Sequence, residues 1–219
     1  MKNLTNYIIF HDQKSLDYFK ELNPDISNEF VYIFVGEDKV FYSYGNNYSI
    51  INPYFAKNNI EHYPSLLTFT AWYLLSKNDI CKTDYIGLFE YDVEFLSNPN
   101  DIELYKDTIY GSMARNLPDK NGLYLESVPQ FAKLLTSKEI EIARKQPFWN
   151  ATSNFIVHKE FLIKFVDWYM QFIPEILGLK KHSHFHERAI NVFAANNGYK
   201  NEYIPMIKHY QLCSHGDNI

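Results

Sequence analysis

The apolar positions of the chain come in short runs separated by polar turns, and the first third sets the pattern. Asn6 to Phe10 (NYIIF) reads as a buried strand, followed by the polar turn His11-Asp12-Gln13 and a helical stretch from Ser15 to Leu22 that stops before Asn23-Pro24. Phe30 to Val35 (FVYIFV) reads as a second strand, closed by Gly36-Glu37-Asp38. Strand, helix and strand at this spacing predict a right-handed parallel crossover, and therefore an open α/β sheet.

Further along, Tyr63 to Ser76 carries apolar residues at helical spacing and is expected to be the main core helix of this half. Asp84 to Phe89 (DYIGLF) is a strongly apolar third strand that runs into Glu90-Tyr91-Asp92-Val93-Glu94-Phe95. Residues 96 to 127 read as loop-rich, with Asn98-Pro99-Asn100, Pro118-Asp119 and Asn121-Gly122 as turn signals. Ser137 to Lys145 is expected to be helical, with Thr136 and Glu139 forming a helix-start pattern. Phe155 to Val157 is a short strand, His158 to Phe172 an amphipathic helix, and Glu187 to Asn196 a helix stopped by Asn197-Gly198. Tyr203 to Met206 is expected to be the last strand, leading into a His-containing tail. No internal repeat or flexible linker interrupts the pattern, so residues 1–219 are expected to form a single domain.

Composition narrows the function classes. With 46% hydrophobic, 17% aromatic and 21% charged residues, the chain lies far from disordered sequences. A domain of this length buries roughly 70 to 75% of its unfolded surface. The 18 Tyr and 17 Phe offer stacking faces, and Tyr adds a hydroxyl, which suits sugars and nucleobases. A net charge of −5 provides no basic field for nucleic acid. Cys81 and Cys213 make no disulfide framework and no Cys-x-x-Cys site, which points to a reducing cytoplasm. The apolar run near the N-terminus, Tyr7 to Phe10, is too short for a signal peptide, and no run reaches the roughly 18 residues of a membrane span. A monomer or weak dimer is expected, since no coiled coil or long apolar surface helix is present.

The acidic strand end carries the strongest chemical signal. In an extended segment Glu90, Asp92 and Glu94 would project on one face, at the carboxyl end of an apolar strand where open α/β sheets bind ligands. Three carboxylates together raise one another's pKa values, and a hard divalent ion relieves that repulsion. The competing reading is an edge strand with a solvated acidic face. The strand before the carboxylates is too apolar for an edge.

The run YIGLFEYDVEF resembles the strand and acidic "DxD" motif of GT-A glycosyltransferases, with Glu90-Tyr91-Asp92 in register and Asp92 in the place of the metal-binding carboxylate. Glu90 stands where the family usually has Asp, and Asp92-Val93-Glu94 is the competing register. Phe148-Trp149-Asn150 followed by Asn154-Phe155-Ile156-Val157 is similar to the "WN..FI" stretch of bacterial capsular-polysaccharide transferases. His186-Glu187-Arg188-Ala189-Ile190-Asn191-Val192-Phe193 is similar to their "ERLxNVF" helix. Spacing and size also resemble the transferase domain of a chlorella-virus rhamnosyltransferase.

The resemblance implies a Rossmann-like GT-A fold, with a mixed, mostly parallel central sheet flanked by helices. It also implies Mn²⁺ or Mg²⁺, a nucleotide-sugar donor of which UDP-sugars are the commonest, and a glycan or glycoconjugate acceptor. Asp92 would hold the metal with a His near the C-terminus, His209 first and His215 as the alternative. An inverting transferase needs a carboxylate base at the acceptor hydroxyl. Glu187 is the nominee, and Arg188 is left to a structural pairing. His11, Asp12, Glu37, Asp38, Glu90 and Tyr91 fall where the family holds the donor. Trp149, Asn150, Asn154 and His186 would line the acceptor or sugar pocket, and His182, His184 and His186 belong to a loop rather than a zinc site. Two other classes compete: a metal-dependent phosphoesterase and a non-catalytic carbohydrate-binding module.

Overall fold

The computed structural model describes residues 3–35, 50–112, 114–116, 129–146, 148–150, 152–179 and 185–210. Glu37, Asp38, His182, His184 and His215 lie outside the described residues. Among those described, eleven strands run in chain order: β1 Leu4–Phe10, β2 Val31–Phe34, β3 Ile50–Ile51, β4 Tyr85–Glu90, β5 Val93–Phe95, β6 Thr108–Gly111, β7 Ala114–Asn116, β8 Phe148–Asn150, β9 Phe155–His158, β10 Lys200–Tyr203 and β11 Ile207–His209. The helices are α1 Gln13–Leu22, α2 Thr68–Lys77, α3 Pro129–Ala132, α4 Ser137–Arg144, α5 Lys159–Met170, α6 Ile173–Leu177 and α7 Phe185–Asn196.

Seven strands form the central sheet in the order β10-β6-β9-β4-β1-β2-β3. The pairs β1/β2, β1/β4, β2/β3 and β6/β10 are parallel, whereas β9 runs antiparallel between β4 and β6. Two small antiparallel ribbons, β5/β11 and β7/β8, complete the strand pairing. The chain thus adopts the expected α/β architecture, with a mixed, mostly parallel sheet flanked by helices.

Successive strand side chains point to opposite faces, and here each face carries its own core. On one face Tyr7, Ile9, Ile86 and Leu88 pack with Trp72, Phe165, Ile190 and Phe193 from α2, α5 and α7. On the other, Ile8, Phe10 and Phe89 pack with Leu16 and Phe19 of α1 and with Val93 and Ile207 of the β5/β11 ribbon. Burial on both faces is why β1 and β4 read as nearly continuous apolar runs. It also removes the edge-strand reading of the acidic segment, because β4 is flanked by β1 and β9. Gly87 permits a close approach at the centre of β4: a Cβ there would lie 2.2 Å from Asn6 Oδ1.

Caps fix the helix starts. Asp12 Oδ1 accepts from the Ser15 N–H at 2.7 Å in a capping box at α1, and Thr136 with Glu139 forms the predicted capping box at α4. The chain leaves α7 through Gly198, whose φ of 75° suits a residue without Cβ.

Three expectations are corrected. The loop-rich stretch contains an unexpected strand, β6, buried throughout and hydrogen-bonded into the main sheet; four residues are too few for a periodic signal. The expected last strand over 203–206 falls mostly on the break between two strands, β10 and β11, which join different sheets. Pro205 has no N–H to give a ladder and sits in the break between them. The core helix begins at Thr68 rather than Tyr63, after a short 3-10 turn and Leu67, whose φ of 46° places it in the left-handed region.

Candidate active site

The carboxyl ends of β1 and β4 lie side by side, with Ile9 in register with Glu90. β4 ends at Glu90, the chain turns through Tyr91 and Asp92, and β5 begins at Val93. That turn decides which carboxylates converge. The expectation that Glu90, Asp92 and Glu94 share one face does not hold, because the segment is not continuously extended. Glu94 is directed to the ribbon, where Tyr210 Oη donates to its Oε2 at 2.6 Å and Lys208 Nζ lies 3.8 Å away.

The place of Glu94 is taken by an imidazole. β11 pairs antiparallel with β5, setting His209 opposite Val93, and the Tyr210 N–H donates to the Asp92 carbonyl at 2.9 Å. His209 Nε2 then lies 3.1 Å from Asp92 Oδ1 and 3.8 Å from Glu90 Oε2. One ligand atom from each of Glu90, Asp92 and His209 falls within 4.8 Å of the others, a group that could hold a metal ion. Asn23 braces the approach: its amide donates to the Val93 carbonyl at 2.8 Å and accepts from the Phe95 N–H at 2.9 Å.

Burial and charge crowding together set the ionisation of these groups. Burial, then the neighbouring carboxylates of Glu187 and Asp92, push Glu90 up to about 7, against the opposing pull of His209 and of a hydrogen bond from Thr68. Burial works to depress His209, but the hydrogen bond and charge of Asp92, helped by Glu90 and Glu187, outweigh it and raise its pKa above the ordinary value. The carboxylate contributions to both shifts come from a cluster in which negative groups crowd together. The Thr68 hydroxyl, at the first residue of α2 directly after the strained Leu67, donates to Glu90 Oε1 at 3.1 Å.

A second group borders the first. Glu187 and His186 sit in the first turn of α7, both buried. Glu187 Oε1 accepts from Ser153 Oγ at 3.1 Å, Ser153 Oγ is 3.3 Å from His186 Nε2, and Arg188 pairs with Glu187 Oε2. The His186 ring packs perpendicular to Trp72, with centroids 4.8 Å apart.

The remaining predicted positions divide. The His11 ring meets Tyr91 edge to face at 5.0 Å, so the first strand-to-helix turn does adjoin the acidic turn, while Asp12 is engaged as the α1 cap. Asn154 is fully buried, and its Oδ1 accepts from the Glu90 N–H at 2.7 Å. Asn150 is buried in an exchange with Asn191: the Asn150 N–H donates to Asn191 Oδ1 at 2.8 Å, and Asn191 Nδ2 donates to the Asn150 carbonyl at 2.9 Å. Trp149 lies in β8 opposite Arg115, and its side chain is outside what is described. Thr68, Ser153 and Asn23 had no motif to reveal them; each is a lone small polar residue whose partners lie far away in the chain.

No protein-family model and no curated protein matches the sequence. Solved structures do match: the chain is similar to the WbbM bifunctional glycosyltransferase in its apo form, with a TM-score of 0.58 and 12% identity over 94% of its own length. It covers 45% of that protein, so it spans less than half of it. At that identity the likeness shows a shared fold. No helix among the described residues is long and apolar enough to cross a membrane.

Proposed function

We propose that this chain is a metal-dependent glycosyltransferase that moves a sugar from a nucleotide-sugar donor, with UDP-sugars the first to test, onto a hydroxyl of a glycan or glycoconjugate acceptor, with inversion. The observation that carries the reading is the convergence of Glu90, Asp92 and His209 at the carboxyl end of a central strand, in a fold shared with a glycosyltransferase. Two carboxylates and one imidazole fit Mn²⁺ or Mg²⁺, and the pKa of Glu90, raised first by burial and then by its carboxylate neighbours, marks a charge that such an ion would stabilise. When bound, the ion neutralises the charge that grows on a diphosphate leaving group.

The chain's own residues then divide the work. Asp92, His209 and Glu90 hold the metal, and Thr68 orients Glu90. His11 and Tyr91, at the ends of β1 and β4, face the nucleotide. Glu187 accepts the proton of the attacking hydroxyl, while His186, Trp149, Asn150 and Asn154 shape the side of the site where sugar and acceptor meet. The protein works in the cytoplasm as a monomer or weak dimer.

The test is a calorimetric titration with UDP, with and without Mn²⁺, on the wild type and on Asp92→Ala. Binding that requires both Mn²⁺ and Asp92 supports the donor site and directs a screen of UDP-sugars for transfer. If UDP and other nucleotides fail to bind under every metal condition, the reading fails, and metal-independent glycan binding becomes the leading explanation.

A further inference from the structure

Ser153 occupies a position that the metal site does not explain. It is fully buried on the connection between β8 and β9, yet its hydroxyl sits between two side chains from the first turn of α7, His186 Nε2 at 3.3 Å and Glu187 Oε1 at 3.1 Å. A serine hydroxyl has one proton to give, and an ionised carboxylate can only accept. If His186 Nε2 also accepted, one proton would face two acceptors. With Glu187 ionised the arrangement is consistent in one direction: Nε2–H of His186 donates to Ser153 Oγ, and Ser153 donates to Glu187.

We propose that Ser153 is a positioning residue, the middle of a buried chain His186–Ser153–Glu187 that fixes the tautomer of the imidazole and holds the Glu187 carboxylate ionised and oriented towards the acceptor hydroxyl. The proposal rests on the reading of Glu187 as the base. Arg188 holds Glu187 Oε2, so both oxygens are anchored, one from α7 itself and one from across the site. Each carboxylate oxygen offers more than one lone pair, so a hydrogen bond to it does not by itself prevent it from receiving the acceptor's proton. The charges that bear on Glu187 include Arg188 beside it and, across the site, Glu90 and His209. Glu90 opposes ionisation of Glu187, whereas Arg188, His209 and the Ser153 hydroxyl favour it. The aromatic surroundings of His186, with Trp72 perpendicular to the ring and Phe69 at 6.1 Å, keep its orientation fixed.

Carboxyl-¹³C glutamate and ring-¹⁵N histidine labelling of the full chain in EDTA test this directly, with the Glu187 resonance identified by its loss in Glu187→Gln. Removing a hydrogen bond to the charged form should raise the pKa of Glu187 in Ser153→Ala by about one unit, about tenfold in the acid constant, and Ser153→Thr should restore it. The wild-type His186 ring should carry its proton on Nε2. In a transfer assay the acid limb of kcat/KM should move with the Glu187 titration in Ser153→Ala, with the donor KM unchanged. A Glu187 titration identical in Ser153→Ala and wild type overturns the proposal. So does an Nδ1–H tautomer of His186 in the wild type, a measurement that stands even if the variant does not fold. Full transfer activity in Glu187→Gln would instead overturn the role of Glu187 itself, whatever the labels report of the chain.

Discussion

Replacing Glu90 with glutamine should stabilise the metal-free protein, and the size of the gain should depend on pH. The side chain is partly buried between Asp92 and Glu187, and its pKa rises from the ordinary 4.5 to about 7. A carboxyl whose folded pKa is raised binds its proton more tightly in the native state, so its contribution is fully present below the unfolded value and is lost as pH rises through 7. At pH 8 the ionised side chain therefore costs about 3 kcal/mol, from roughly 2.5 pKa units at 1.36 kcal/mol each. At pH 5.5 the folded state keeps its proton, and the cost falls to about 1.4 kcal/mol. Glu90→Gln keeps the shape and the acceptor for Thr68 while removing the charge. In EDTA, melting followed by calorimetry should show the variant higher by about 6 to 12 °C at pH 8, and by roughly half that or less at pH 5.5. Mn²⁺ at one thousand times its Kd should reverse the ranking, since it stabilises the wild type by about 4.1 kcal/mol, a gain that the variant largely forgoes. An equal effect at both pH values, or a loss of stability at pH 8, would refute the crowding argument.

Three further outcomes follow from the same geometry. Mn²⁺ affinity should weaken about tenfold between pH 8 and pH 6 as Glu90 takes up its proton, and further as His209 does the same; a calorimetric Kd that ignores pH would count against this ligand set. Asn23→Ala should cost about 1 to 3 kcal/mol by urea denaturation, because it strips the Val93 carbonyl and the Phe95 N–H of their partner, and it should weaken Mn²⁺ binding by loosening the strand that follows Asp92. Gly87→Ala should destabilise by about 1 to 3 kcal/mol in the same assay, since its Cβ would press on Asn6 Oδ1 and on the Phe89 ring 2.8 Å away.

The sequence by itself determined most of the succession of strands and helices, the parallel crossover at the N-terminal end and the acidic end of a central strand. Each of these rests on local chemistry: apolar runs long enough to bury both faces of β1 and β4, a capping box spelled by Thr136 and Glu139, and turn residues between them. It also nominated Asp92 as a candidate site residue from the acidic strand end, and His209 and Glu187 through a family resemblance. Nothing local to any of them says that they meet. Only the tertiary structure decided that His209 lies 3.1 Å from Asp92 across 117 residues of chain, because the β5/β11 register that joins them is a pairing between distant segments. The turn at Tyr91 and Asp92 also sent Glu94 to Tyr210 and Lys208, where strict alternation would have kept it with the other carboxylates. Ser153, Thr68 and Asn23 were silent for the same reason. A single buried hydroxyl or amide has no periodicity, and its role exists only once the fold has chosen its partners.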